Sequence, residues 1–508
     1  MTVTQKIQKK LNDSAVARWS ALAIVSFTMM MAYFFTDVMG PLEAPLTTKG
    51  KLVYFNNGSY LAADSLMKVS TQEIASAEDI VVGNEYTIKY TDKQNTPQEE
   101  TVKVTSAIDG LGWGSDDYGI FSGAYGYINV FLLMLFFGGI ILDKCGIRFT
   151  GLMSTSLMFI GAMIKWYAVS RGFEDEVFGL PTQVAIACLG FAIYGVGCEI
   201  AGITVTKVIA KWFTGHELAL AMGLQVALAR VGTACALFFA LPLAQNFGIV
   251  SAPVMIGAST LCIGMLSYIV YCVMDKKLDA SQSATEGEAD SEEQFKMSDL
   301  KVIFCNKGFW LITLLCLMFY SAVFPFLKFA TNLMIIKYEV SPSLAGIIPG
   351  LLPFGTILLT PIFGSMYDRM GKGATLMLIG SALLTVVHIL FALPILNVWW
   401  FAVIVMILLG IAFSLVPSAM WPSVPKIIPM KQLGSAYAII FYIQNIGLSM
   451  VPVLIGNVIQ SNTVNGTTDY TAPMAIFAFF GVVAVIISLL LKGADKKYNY
   501  GLEQKNQK

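Results

Sequence analysis

The chain has 508 residues, of which 56% are hydrophobic and only 13% charged, with a mean hydropathy of +0.68. Soluble domains carry about 25% charged residues, so this composition excludes a soluble globular protein and points to several membrane crossings. The formal net charge is zero, which gives no bulk attraction to nucleic acid or another polyanion.

Residues 1–18 are polar and basic and lead into an apolar run long enough to cross a bilayer, so no cleavable signal peptide is expected. Twelve apolar runs of spanning length are expected, at roughly 18–41, 117–142, 149–170, 182–211, 217–246, 251–274, 307–337, 341–366, 373–395, 398–428, 431–460 and 471–492. Short loops on one face carry Lys144, Arg148, Lys276, Lys277, Arg369, Lys372, Lys426 and Lys431. The tails add Lys6, Lys9, Lys10, Arg18, Lys496 and Lys497 to that face, whereas the other face holds little beyond Arg171 and Lys337. Positive charge stays on the cytoplasmic side, so both termini are expected there. The resulting division is a six-span half over 1–274, a linker over 275–306, a second six-span half over 307–492 and a cytoplasmic tail over 493–508.

Residues 42–116 form a long first outer loop. Its alternating stretches KLVYF, EYTIKY and TVKVTSA, separated by Asn, Gly and Asp, predict a small β-sheet unit. It is either a tolerated insertion or a cap or docking surface over the outer mouth. Asn57-Gly-Ser59 and Asn465-Gly-Thr467 match glycosylation acceptors on the same side. The linker is acidic, rich in small residues and expected to be flexible. All eight cysteines lie in or beside apolar runs, so no disulfide framework is expected.

The stretch Tyr194–Arg230 carries two charges deep in apolar sequence. Glu199 lies 12 residues before Lys211, and Arg230 lies 13 residues after Glu217, on either side of one polar turn. At a helical rise of about 1.5 Å per residue, both sit roughly 18–20 Å from one membrane face, near the middle of a core of about 30 Å. Charges at that depth mark pathways or pair with one another. Thr214-Gly-His-Glu217 reads as a capping box that starts the fifth span.

Two segments repeat. Gly139-Ile-Ile-Leu-Asp143-Lys-Cys-Gly146-Ile-Arg148 follows the second span, and Gly364-Ser-Met-Tyr-Asp368-Arg369-Met-Gly371-Lys372 follows the eighth, with the aspartates 225 residues apart. This repeat resembles the signature loop of the major facilitator superfamily. The resemblance implies an all-α membrane fold of twelve spans in two six-helix halves, here with the outer sheet insertion. It also implies that Gly139, Asp143, Arg148, Gly364, Asp368 and Arg369 serve in gating, latching the halves on the cytoplasmic side. The glycines are expected to let neighbouring helices approach.

Within the superfamily, Tyr33-Phe34-Phe35-Thr36-Asp37, Gly195-Val196-Gly197-Cys198-Glu199, Gly223-Leu224-Gln225, Ala229-Arg230-Val231-Gly232, Val323-Phe324-Pro325-Phe326, Trp421-Pro422 and Gln444-Asn445-Ile446-Gly447 resemble the animal lysosomal dipeptide uniporter subfamily. That resemblance implies transport of small peptides without an evident driving ion, and an accessory membrane protein as a partner. The expected site is an end clamp, with Arg230 on a carboxylate and Glu199 on an ammonium; an Arg–Glu pair joining two spans is the alternative. Gln444 and Asn445 offer amides for peptide groups or for helix–helix bonds. Trp421, in a span broken by prolines, suits a pocket wall or packing. Tyr33, a candidate substrate contact, and Asp37 sit toward the outer end of the first span, where Asp37 is a mouth residue or merely interfacial. Lys328 attracts a carboxylate or snorkels outward, and Lys165 reads as an interfacial anchor. Organic-anion carriage with Arg230 and Lys328 is the second reading, and a receptor or scaffold using the outer loop is the third. No metal cluster, nucleophile elbow or phosphate loop points to an enzyme, and no cofactor is expected. The bilayer is the expected surrounding: a bacterial inner membrane, or a lysosomal membrane in an animal host.

Overall fold

The computed structural model describes residues 11–91, 97–173, 175–177, 179–213, 217–282, 303–394, 396–429, 432–464 and 467–505. Within lipid the backbone must satisfy its own hydrogen bonds, so apolar runs of this length become helices. Eleven helices among the described residues are long and apolar enough to cross a membrane. The first span is Ala15–Asp37, the third is the part of Met134–Ser170 after Gly146, and the fourth to sixth are Thr182–Phe213, Leu218–Phe247 and Ser251–Gln282. The seventh to twelfth are Lys307–Tyr338, Ile347–Met370, Gly373–Ala392, Trp399–Ile427, Leu433–Ser461 and Thr471–Tyr498. The second crossing is built in pieces: Ser115–Gly123, a 3-10 turn Ala124–Gly126, Tyr127–Phe131 and the opening turns of Met134–Ser170. Leu133 and Gly146 take positive φ at the two breaks, at 52° and 74°.

Two ends extend past their expected limits. The sixth helix runs on to Gln282 because Asp275 and Asp279, one turn apart, both bond Lys211, at 2.8 and 2.6 Å. The twelfth runs on to Tyr498, and the tail then folds back. There Asp495 accepts from the backbone of Leu502 and Glu503, while Lys426 reaches the carbonyls of Gly501 and Gln504. Residues 283–302 of the linker and Thr214 to His216 lie outside the described residues, as does Asn465.

The outer loop folds as predicted into a sheet. Its strands are β1 (Lys49–Phe55), β2 (Tyr60–Ala62), β3 (Glu85–Thr91) and β4 (Pro97–Leu111), antiparallel in the order β2-β1-β4-β3. Alternation decides what each face buries. Val53, Phe55, Val102 and Val104 pack with Leu66 of the helix Ala63–Val69 in a core of the sheet's own. Leu52, Tyr54 and Ile108 point the other way, into the core shared with the membrane helices. The insertion is therefore fixed to the bundle rather than tethered above it. All eight cysteines are free.

Hydrogen bonds joining the two halves gather at the sheet-bearing end. Lys328 bonds Asp37 at 2.6 Å and the Thr36 carbonyl at 3.0 Å. Tyr118 donates to the Lys328 carbonyl at 2.8 Å, and Tyr60 of β2 donates to Asn332 at 3.1 Å. Below them the second segment crosses the eleventh span through glycines. A Cβ at Gly119 would lie 2.6 Å from the Pro452 carbonyl oxygen, and one at Gly123 would lie 2.1 Å from that of Ser449. The structure is shut at this end.

Candidate functional site

Arg230, half-buried in the fifth span, reaches into rings from both halves. Its guanidinium carbon stands 5.7 Å from the ring centre of Tyr33 (first span), 5.4 Å from that of Phe324 (seventh) and 5.7 Å from that of Phe413 (tenth). Each such contact is worth about 0.5–2 kcal/mol depending on desolvation. A guanidinium stacked on ring faces keeps its in-plane N–H donors for a carboxylate. Among the described residues Arg230 forms no ion pair.

Glu199, half-buried in the fourth span, accepts a 2.9 Å hydrogen bond from the Tyr125 hydroxyl. Tyr125 sits in the 3-10 break of the second segment. Gly195, one turn before Glu199, admits it: a Cβ there would lie 2.0 Å from the Tyr125 carbonyl oxygen. Both Arg230 and Glu199 act electrostatically on the Tyr33 hydroxyl, yet they do not pair with each other. The self-satisfied Arg–Glu pair that the sequence left open is not formed.

A second group adjoins the cage. Tyr320 packs against Phe324 and Phe413, at 5.6 and 5.7 Å between ring centres. Its hydroxyl accepts from Trp421 Nε1 at 3.1 Å. Trp421 stacks on Phe441 at 4.9 Å, and its carbonyl accepts from the Tyr437 hydroxyl. Gln444 Oε1 accepts from the Cys316 thiol at 3.3 Å. Asn445 donates Nδ2 to the Phe441 carbonyl at 2.9 Å, while its buried Oδ1 has no partner. Tyr33, Glu199 and Arg230 thus come together, and Trp421 joins them through Tyr320.

Lys328 is placed elsewhere. It neither snorkels nor faces the cage but pairs with Asp37, one turn beyond Tyr33 toward the sheet, with both side chains 16% exposed. Lys165 corrects the sequence reading outright. It is fully buried, not interfacial, with its ammonium 4.2, 4.4 and 5.3 Å from the ring centres of Phe191, Phe35 and Phe121 and bonded to the Phe35 carbonyl. Glu217 bonds Arg18 at 3.3 Å, while Thr214, the other half of the expected capping box, lies outside the described residues.

At the opposite end, Arg148 bonds Asp279 at 2.7 Å within its own half. Asp368 and Arg369 are exposed, and Arg369 lines an open cavity of about 590 Å³ with Pro361, Ile362 and Ser365. The Asp143 side chain lies outside the described residues. A Cβ at Gly139 or Gly364 would meet nothing within 4 Å, so neither glycine serves a close helix approach in this conformation; the halves touch at the other end. Gly138 does pack closely: a Cβ there would lie 2.7 Å from the Ile200 side chain. Among the described residues no group of three or more His, Cys, Asp or Glu is arranged to hold a metal. Sequence reasoning missed Tyr125, Tyr320 and Phe413. Only the aromatic richness of their segments hinted at them, because their roles depend on which helices cross.

The Major Facilitator Superfamily family model matches residues 101–452 and 324–507. The lysosomal dipeptide transporter MFSD1 of Homo sapiens is 27% identical over 347 residues, covering 66% of this chain and 70% of that protein. That of Danio rerio is 26% identical over 346 residues, covering 66% and 71%. The structure of the nucleoside transporter NupG aligns with a TM-score of 0.61 at 14% identity, covering 94% of this chain and 98% of its own. A D-xylose–proton symporter aligns at 0.58 and 13%, covering 93% and 97%. At these identities the two structures speak for the fold alone.

Proposed function

We infer that this chain, which belongs to the major facilitator superfamily, moves small zwitterionic peptides, dipeptides above all, across its membrane by alternating access. The observation that carries this reading is the pair of opposite charges around Tyr33 that do not neutralise each other. A dipeptide brings both missing partners. Its carboxylate takes the in-plane donors of Arg230, a charged hydrogen bond worth about 1.5–3 kcal/mol, and its ammonium takes Glu199. The unpartnered Oδ1 of Asn445 suits the peptide N–H. The rings of Trp421, Phe441 and Tyr437 offer apolar contact to side chains. The name of the MFSD1 relatives supports the same substrate class.

In this reading the basic loops and both termini face the cytoplasm and the sheet faces outward. The conformation is then closed outside. Asp143, Arg148, Asp368 and Arg369, with Gly139 and Gly364, latch the cytoplasmic side in the opposite state. The first span has no glutamate in its core, which favours uniport. Carriage of dianions is the weaker reading, because Asp37 already holds the second cation, Lys328.

Thermal stabilisation of the purified protein against dipeptides, their N-acetylated and C-amidated forms, and dicarboxylates tests it. Ligand at 100 times its Kd stabilises by about 2.7 kcal/mol. The expected shift comes with free dipeptides and is lost on blocking either end, in Glu199→Gln and in Arg230→Ala. A shift with dicarboxylates alone refutes the peptide reading.

A further inference from the structure

Glu43 opens the one-turn helix Glu43–Thr47 that follows the first span beneath the sheet. It is 1% exposed, and its Oε2 is buried with no hydrogen-bond partner. The Asn332 side chain of the seventh span faces the carboxyl, and its Oδ1 accepts from the hydroxyl of Tyr60 of β2. Facing the carboxyl are the hydroxyls of Tyr60, of Tyr118 from the second segment and of Tyr470 at the start of the twelfth span. Tyr54 of β1 stands behind Tyr60, and the hydroxyls of Tyr54 and Tyr470 are themselves buried without partners. Among the described residues no lysine, arginine or histidine forms an ion pair with Glu43. Lys328, one turn before Asn332, is taken by Asp37.

A carboxylate sealed from water with no cation beside it is too costly to keep ionised, and a bound proton removes that cost. Glu43 belongs to the first half, Asn332 and Tyr470 to the second, and Tyr60 to the sheet. The residues that exclude water from Glu43 therefore part when the halves separate at this end. We propose that Glu43 is a proton-binding site in the sheet-end seam, loaded while the seam is shut and emptied to the solution on that side when the seam opens. The proton enters and leaves on one side, so acidity there favours the shut state without a proton travelling with substrate. One linked proton shifts the equilibrium by at most ~tenfold per pH unit, toward the shut state as pH falls. This rests on alternating access alone, not on the peptide reading.

The test uses full-length protein in liposomes, with its native cysteines replaced and spin labels at exposed Arg171 and Ser461, at the sheet-bearing ends of the two halves. Pulsed EPR distances are recorded across pH without substrate. The short-distance population is expected to grow as pH falls, to stay high at every pH in Glu43→Gln, and to titrate with a displaced midpoint in Glu43→Asp. Wild-type populations independent of pH, a Glu43→Gln variant that titrates like wild type, or an unmoved midpoint in Glu43→Asp overturns the proposal. So does a response to sodium at constant pH with none to pH, which makes the occupant a metal ion. Because no peptide is added, failure here leaves the substrate assignment standing.

Discussion

Gly123 offers the sharpest perturbation of the equilibrium between the two end states. A Cβ there would lie 2.1 Å from the Ser449 carbonyl oxygen and 3.2 Å from its carbonyl carbon. Ordinary contact begins at 3.4 Å, so the second segment and the eleventh span must part by more than 1 Å to admit even alanine. The obstructing atom is backbone in a helix and cannot rotate away. Overpacking of this kind costs about 1–3 kcal/mol. The cost falls on the shut state alone, because in the opposite state this crossing is released. Gly123→Ala therefore moves the population toward sheet-end opening by about 5–150-fold. The Arg171 and Ser461 spin-label pair reads the change directly as growth of the long-distance population. Gly493→Ala is the control, since a Cβ there meets nothing within 4 Å. A Gly123→Ala distribution identical to that of wild type, in a protein that still binds ligand, would refute the reasoning.

Other outcomes follow from packing and charge. Asp37→Asn leaves Lys328 without its 2.6 Å partner at a position only 16% exposed. Removing one member of a buried pair costs about 3–5 kcal/mol, an upper bound at this exposure. Thermal unfolding of Asp37→Asn, Lys328→Gln and the double variant should give a coupled cycle, the double costing less than the two singles together; additive losses would deny the pair. Leu66→Ala opens a cavity in the sheet's own core, where Leu66 is fully buried, and should cost the sheet about 2–5 kcal/mol. Proteolysis within 49–111 should then accelerate while the membrane helices stay intact.

The membrane character, the run of spanning helices, the repeat and the sheet were all legible in the sequence, because each rests on local periodicity. Apolar length dictates helices in lipid, and alternation dictates strands. Glu199 and Arg230 stood out because a mid-bilayer charge is costly wherever the chain goes. Depth along one helix, however, says nothing about which neighbour a side chain meets. Lys165 and Lys328 have similar apolar flanks in sequence, yet one lies among three rings and the other locks the halves together. Glu43 drew no notice in a polar loop, and only the sheet folding over it makes it a buried acid. The sequence by itself determined the elements and the costly charges. The crossing of the helices decided which charges pair, which stay open to a ligand, and at which end the molecule is shut, because side-chain partners across helices come from chain segments hundreds of residues apart.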